Sequence, residues 1–194
     1  GLDPRTLPTK AAWELGKRLG NQVIEQYIAD EGKYPENIGM VFWSGSNMRS
    51  HGQCIAEFLY FMGIKPVWEK GSLQVKRLEV IPLSELMRPR IDVTARISGL
   101  FRDTMPTVVE LLDKAVLLAA DLNESEDDNY IKKHVSEESS LMEKSGMTHE
   151  ESWRNAAYRI FGDAPGTYGA GVSALLESKN WQTVDDLADV FVRW

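Results

Sequence analysis

The sequence predicts an α/β protein: a short parallel, doubly wound (Rossmann-like) sheet flanked by helices, with an all-helical C-terminal portion. Three observations predict it. Residues 38–43 form a continuous apolar run between helix breakers, too short for a helix and suited to a strand buried on both faces. Strand, turn and helix patterns then alternate as far as residue 120, and from residue 130 onward only helical spacing recurs. With 194 residues, 43% hydrophobic and 26% charged, the chain can bury one core. The expected organisation is an α/β domain with an N-terminal helix over 1–122, an acidic loop over 123–129, and a helical portion over 130–194 packed on the same domain.

Each element has its own signal. Thr9 is placed to cap a helix running to about residue 30, in which Ala12, Leu15, Leu19, Val23 and Tyr27 form the apolar face and which Gly32 and Pro35 end. Ser44-Gly45-Ser46-Asn47 reads as a polar turn after the first strand. Cys54, Ile55, Phe58, Leu59 and Met62 give a helix over 48–62, stopped by Gly63. Further strands are expected over 65–68, 75–81 and 91–98. Asp103 is expected to cap a helix over 104–120, with Pro106 in its first turn, where a missing N–H does no damage. Val108, Leu111, Leu112, Ala115, Val116 and Ala119 make its wide apolar face. Glu124, Glu126, Asp127 and Asp128 mark a solvated loop. Helices follow over 130–144, 148–161, 168–178 and 183–192, separated by Gly146, by residues 162–166 and by Asn180. Trp13, Trp43, Trp68, Trp153, Trp181 and Trp194 read as core or interface groups.

Composition excludes several functions. A formal charge of −7 argues against binding nucleic acid, whose phosphates are neutralised by clustered Lys and Arg. The single cysteine, Cys54, rules out an intrachain disulfide and a multi-cysteine zinc cluster, and fits the cytoplasm. No apolar stretch approaches the roughly 20 residues of a membrane span, and the first residues lack a signal peptide's apolar centre. A start at Gly1 without Met reads as a piece of something longer.

In an open parallel sheet, ligands bind beyond the carboxyl ends of the strands. Two polar turns are expected there. The first, residues 44–51, offers Ser44, Ser46, Asn47, Arg49 and His51. The second offers Arg96, Ser98, Arg102 and Asp103. Free backbone N–H groups at a helix start favour carboxylates or phosphates, although the same residue types cap helices without any ligand. His51 can accept or donate a proton near neutrality, whereas His134 and His149 lie on polar helical segments and read as surface residues. No GxGxxG, P-loop, HExxH or CxxC spacing occurs, so neither a nucleotide nor a metal site is legible locally, and metal ligands stay unassigned. That also disfavours a flavodoxin-like nucleotide-binding module. The glycines around Tyr168 allow close backbone approach, and Tyr168 could wall a flat macrocycle or simply open a tightly packed helix.

The wording of the chain carries a resemblance. Residues 3–9 (DPRTLPT), 12–17 (AWELGK), 34–38 (YPENI), 41–52 (VFWSGSNMRSHG), 63–68 (GIKPVW) and 88–103 (RPRIDVTARISGLFRD), followed by Leu112-Asp113, Ala115-Val116, Arg159-Ile160-Phe161-Gly162 and residues 168–172 (YGAGV), resemble the CobN and magnesium-chelatase H family along nearly the whole chain. Ser44-Gly45-Ser46 replaces the commoner Gly-Thr-acid version of the first turn. Gln53 stands where an acid is common, and an amide cannot act as a base.

The resemblance implies an internal piece of a much larger subunit that holds a tetrapyrrole and the incoming metal while AAA+ partner subunits hydrolyse ATP. The metal, cobalt or magnesium, is a substrate; no cofactor is expected on the piece alone, which is expected to be inactive in isolation. Cobalt insertion into hydrogenobyrinic acid a,c-diamide is favoured over magnesium insertion into protoporphyrin IX. Arg49, Arg96 and Arg102 would meet the macrocycle's carboxylates, with Ser44, Ser46, Asn47, Ser98, Asp103 and Tyr168 as further substrate-binding groups and His51 as the local base. The rival is a non-catalytic scaffold domain that docks the AAA+ subunits through the acidic loop.

Overall fold

Thr9 caps the first helix as expected, its hydroxyl accepting a hydrogen bond from the Ala12 N–H at 3.2 Å. The computed structural model describes residues 3–193, and Trp194 lies outside the described residues. Helix α1 (Lys10–Glu31) ends on Gly32 in the left-handed region. Its buried side differs from the expected one: Ala12, Trp13, Gly16, Gly20 and Ile24 face inward, while Leu15, Val23 and Tyr27 are exposed. The reason is close approach. A Cβ on Gly16 would lie 2.6 Å from the Ala56 Cβ on the helix packed beside it, so the two glycines, which an apolar-residue count ignores, set the contact stripe. Gly16→Ala is therefore expected to lower stability by about 1 kcal/mol net in urea unfolding, because overpacking costs about 1–3 kcal/mol against about 1 kcal/mol of helix propensity gained.

The fold class stands: β1 (Asn37–Phe42), β4 (Asp92–Ile97) and β5 (Ile160–Gly162) form a parallel three-stranded sheet in the order β1-β4-β5. As the edge strand, β1 alternates between core and solvent instead of being buried on both faces. Ile38, Met40 and Phe42 point to the core, and Val41 points out. After β1 the expected turn is itself a helix, α2 (Ser44–Arg49). The helix expected over 48–62 breaks where His51 and Gly52 adopt φ of 55° and 89°, and resumes as α3 (Gln53–Phe61).

Strands β2 (Ile64–Trp68) and β3 (Val75–Val80) pair antiparallel in a separate hairpin. The link over 69–74 is too short for the crossover that a parallel partner needs. A short α4 (Leu83–Leu86) leads to β4. Beyond it, Ser98 and not Asp103 is the cap: its hydroxyl accepts from the Phe101 N–H at 3.2 Å and starts α5 (Gly99–Thr104), with Asp103 inside the helix. Helix α6 (Pro106–Ala120) then begins at Pro106 and buries Val108, Leu112, Ala115, Val116 and Ala119. The core lies between the sheet, α3 and α6, with Phe42 set against Phe58 and Phe101 at centroid distances of 6.1 and 5.5 Å.

The acidic loop is only partly solvated. Glu124 pairs with Arg90, and Asn129 is buried and donates to the Ala119 carbonyl at 2.8 Å. Helix α7 (Tyr130–Lys144) follows. A reciprocal Thr148–Glu151 capping box opens α8 (His149–Ala156). The helix expected to reach residue 161 stops at Ala156, and strand β5 adds to the sheet, so the C-terminal portion is not all helical. Gly169–Gly171 forms a 3-10 turn before α9 (Val172–Ser178) and α10 (Val184–Arg193). Among the tryptophans, Trp13 is buried, Trp68 and Trp153 are half-buried, and Trp43 and Trp181 are exposed.

Candidate functional site: the carboxyl edge of the sheet

Phe42 sits opposite Ile97, and Ile97 opposite Gly162. The segments that follow the three strands therefore meet at one edge. Ser44 is buried there, 2.8 Å from the Thr104 hydroxyl. Thr104 gives its single proton to the Leu100 carbonyl at 2.6 Å, so Ser44 is the donor, and this bond ties α2 to α5. Asn47 is fully buried and donates to the Trp43 carbonyl at 3.1 Å, while its Oδ1 is buried without a hydrogen-bond partner. Ser46 and Arg96 are half-buried; Arg49 and His51 are exposed at the rim.

Arg102, Asp103 and Tyr168 are brought together, and chiefly with one another. The Arg102 guanidinium donates to both Asp103 oxygens at 2.7 and 2.9 Å, and to the carbonyls of Asp163 and Ala164 at 2.7 Å each. Tyr168 donates its hydroxyl to Asp103 at 2.6 Å and sets its ring 5.7 Å from the guanidinium. Four of the five arginine N–H groups are thus engaged inside the protein, which makes Arg102 a strap over the turn after β5. Gly99 is required under that strap, since a Cβ there would lie 2.4 Å from the Thr167 carbonyl oxygen.

Asp163 is the residue that sequence reading missed. It follows β5 directly, is 6% exposed, and neither carboxylate oxygen makes a hydrogen bond within the usual distance and angle limits. Burial pushes its carboxyl pKa up from the ordinary value, outweighing the pull of Arg96, Arg102 and the Gly99 N–H. A buried carboxyl without hydrogen-bond partners at the carboxyl end of a parallel strand, its pKa shifted upward, is a candidate site of proton transfer. Its signal was hidden because residues 160–162 are too short to read as a strand, and residues 162–166 look like a helix breaker.

At the sheet's other end, His134 is half-buried and not a surface residue. Its Nδ1 lies 2.8 Å from Asp92 Oδ2 and its Nε2 3.6 Å from Glu36, which also pairs with Lys133 at 2.8 Å. Arg159 spans both Asp92 oxygens at 3.0 Å. Asp92, His134 and Arg159 border a cavity of about 560 Å³ that Asn37, Thr94, Tyr158 and Phe161 also line. The Asp92 hydrogen bond raises the His134 pKa, against the opposing effect of burial. A raised folded-state pKa means that this contribution to stability is complete below the unfolded value of 6.5 and is lost as pH rises through the folded value. Unfolding free energy is therefore expected to decline above about pH 6.5, and His134→Gln is expected to flatten that slope in denaturant titrations at stepped pH. His149, by contrast, is exposed and meets Glu143. Among the described residues no three His, Cys, Asp or Glu side chains are grouped to hold a metal ion, and no helix is long and apolar enough to cross a membrane.

The same arrangement of sheet and helices occurs in a solved chelatase subunit. The catalytic subunit of cobaltochelatase from Mycobacterium tuberculosis superposes with a TM-score of 0.84 and 42% sequence identity over 98% of this chain and 16% of that one. The chain belongs to the CobN/Magnesium Chelatase family, whose model matches residues 1–194. The aerobic cobaltochelatase subunit CobN of a Sinorhizobium species is 43% identical over 100% of this chain and 15% of its own length. The chloroplastic magnesium-chelatase subunit ChlH of Oryza sativa subsp. indica is 37% identical over 98% of this chain and 13% of its own length. The chain thus spans 13% to 16% of these relatives.

Proposed function

We propose that this chain is one domain of the large, cytoplasmic subunit of a metal chelatase, and that its carboxyl edge positions a tetrapyrrole into which cobalt is inserted. The observation that carries this reading is family membership across the whole chain together with three strand ends that converge on the buried Asp163 carboxyl, whose oxygens lack hydrogen-bond partners. Identity of 43% to a cobaltochelatase subunit against 37% to a magnesium-chelatase subunit favours cobalt.

Insertion requires two pyrrole N–H protons to leave and the metal to shed water. His51 and Asp163 are the groups suited to take protons. Arg49 and Arg96 offer guanidinium groups to the peripheral carboxylates, and Ser46, Asn47 and Tyr168 add polar contacts. Arg102 and Asp103 act by positioning Tyr168, while Ser44 and Ser98 position α2 and α5. ATP is hydrolysed by AAA+ partner subunits, which with the rest of the large subunit drive insertion. The scaffold alternative relied on the acidic loop, and the inward-facing Glu124 and Asn129 leave less of that loop for a partner.

Titration of the 194-residue chain with hydrogenobyrinic acid a,c-diamide and with protoporphyrin IX, followed by macrocycle absorbance and tryptophan quenching, tests this. Saturable binding is expected, weakened about tenfold by Arg49→Ala, the equivalent of about 1.4 kcal/mol, and weakened by Asp163→Asn without loss of folding. Absence of binding at tens of micromolar, about −6 kcal/mol, sinks the reading of the edge.

A further inference from the structure

Parallel sheets are covered on both faces, because crossover helices pack on each side and leave little strand surface to water. One face of this sheet is sealed by α3 and α6, toward which Ile38, Met40, Phe42, Val93, Ala95 and Ile97 point. The opposite face carries Gly39 and Val41 of β1, Thr94 and Arg96 of β4 and Phe161 of β5. Helix α7 reaches it at the amino end, where His134 meets Asp92. Toward the carboxyl end, Val41 is 57% exposed, Phe161 51%, and Trp43, which continues the outward alternation of β1, 52%. Val41, Arg96 and Phe161 lie in one row across the three strands. A Cβ on Gly39 would meet nothing within 4 Å.

Single exposed apolar side chains are ordinary. Three of them on the bare half of a parallel sheet are not, since such clusters mark interaction sites. We propose that this half-face is the seat of another domain of the same large subunit, one that presents an apolar surface to Val41, Trp43 and Phe161. The proposal rests on the reading of the chain as one domain of such a subunit. One observation selects this occupant: the chain spans only 13% to 16% of its relatives, so most of a family polypeptide lies outside this domain, and a second copy is an outcome that the test separates.

Cysteine accessibility tests it. Val41→Cys and Phe161→Cys are placed singly in a Cys54→Ala background, in the 194-residue chain and in the intact polypeptide that carries it, and alkylation rates are compared. Hydroxyl-radical footprinting of the native Trp43 and Phe161 side chains repeats the comparison without substitutions. Rapid labelling in the chain and labelling at least about tenfold slower in the intact polypeptide, with nothing added, is the expected result. Equal rates overturn the proposal. Protection already present in the isolated chain overturns it in favour of a second copy, and protection that appears only on adding a tetrapyrrole or the ATPase subunits overturns it in favour of those occupants. The mass of the native polypeptide separately decides the domain reading: a native product of about 22 kDa overturns both.

Discussion

Arg90→Ala is expected to remove about 3–5 kcal/mol of stability, lowering the urea midpoint with little change in m-value. Arg90 is 0% exposed, and every one of its N–H donors is used. Its Nε and Nη2 grip Glu124 at 2.7 and 2.8 Å, Nη2 also reaches the Ile81 carbonyl at 2.8 Å, and Nη1 reaches the carbonyls of Met62 and Gly63 at 3.2 and 2.9 Å. One side chain thereby joins the end of α3, the hairpin and the acidic loop. Its removal leaves a carboxylate and three buried carbonyls facing a cavity, which is why the cost exceeds that of losing a surface pair. Glu124→Gln is expected to cost less, because it keeps the shape and one acceptor and because Glu124 lies nearer solvent.

That arginine shows what the sequence could and could not reveal. Elements governed by local chemistry were legible: the Thr9 cap, Gly32 after α1 and Pro106 at the start of α6. Elements decided by contacts distant in sequence were not. The buried stripe of α1 follows Gly16 and Gly20, whose lack of a side chain lets α3 approach, and a count of apolar residues cannot see them. Strand β5 is three residues long and exists because β4 offers it a ladder. The residues 88–92, within the most specific stretch of the family resemblance, look like surface charges by type, yet Arg88 donates to the carbonyls of Tyr60 and Phe61 at the end of α3, Arg90 holds the loop, and Asp92 is buried. Of the candidate site, the two turns after β1 and β4 were legible from their polar residues. The third, with Asp163, was not, because it depends on the hidden strand.

Asp92→Asn is expected to have the second largest effect, approaching about 3–5 kcal/mol, and to carry a functional signature as well. Burial alone would raise the Asp92 carboxyl, but the His134 hydrogen bond and the Arg159 guanidinium together hold it below the ordinary value. Its contribution is therefore present at neutral pH and lost as pH falls through that depressed folded value. The amide cannot balance Arg159, whose side chain is 5% exposed and whose Nη2 already lacks a hydrogen-bond partner. His134 is expected to titrate closer to 6.5 in the variant, which NMR titration of its ring reads directly. Adding Arg159→Met should restore part of the stability, because the buried cation would keep only the exposed Glu138 carboxylate, 3.4 Å away, as a counter-charge. Arg159 also accepts the Ala95 N–H through its carbonyl at 2.7 Å at the entrance to β5, so loosening it frees the strand that carries Asp163. Asp92→Asn should consequently weaken the tetrapyrrole binding proposed for the opposite end of the sheet. Binding that stays unchanged while stability falls would show that the carboxyl edge is held by the Arg102 strap alone.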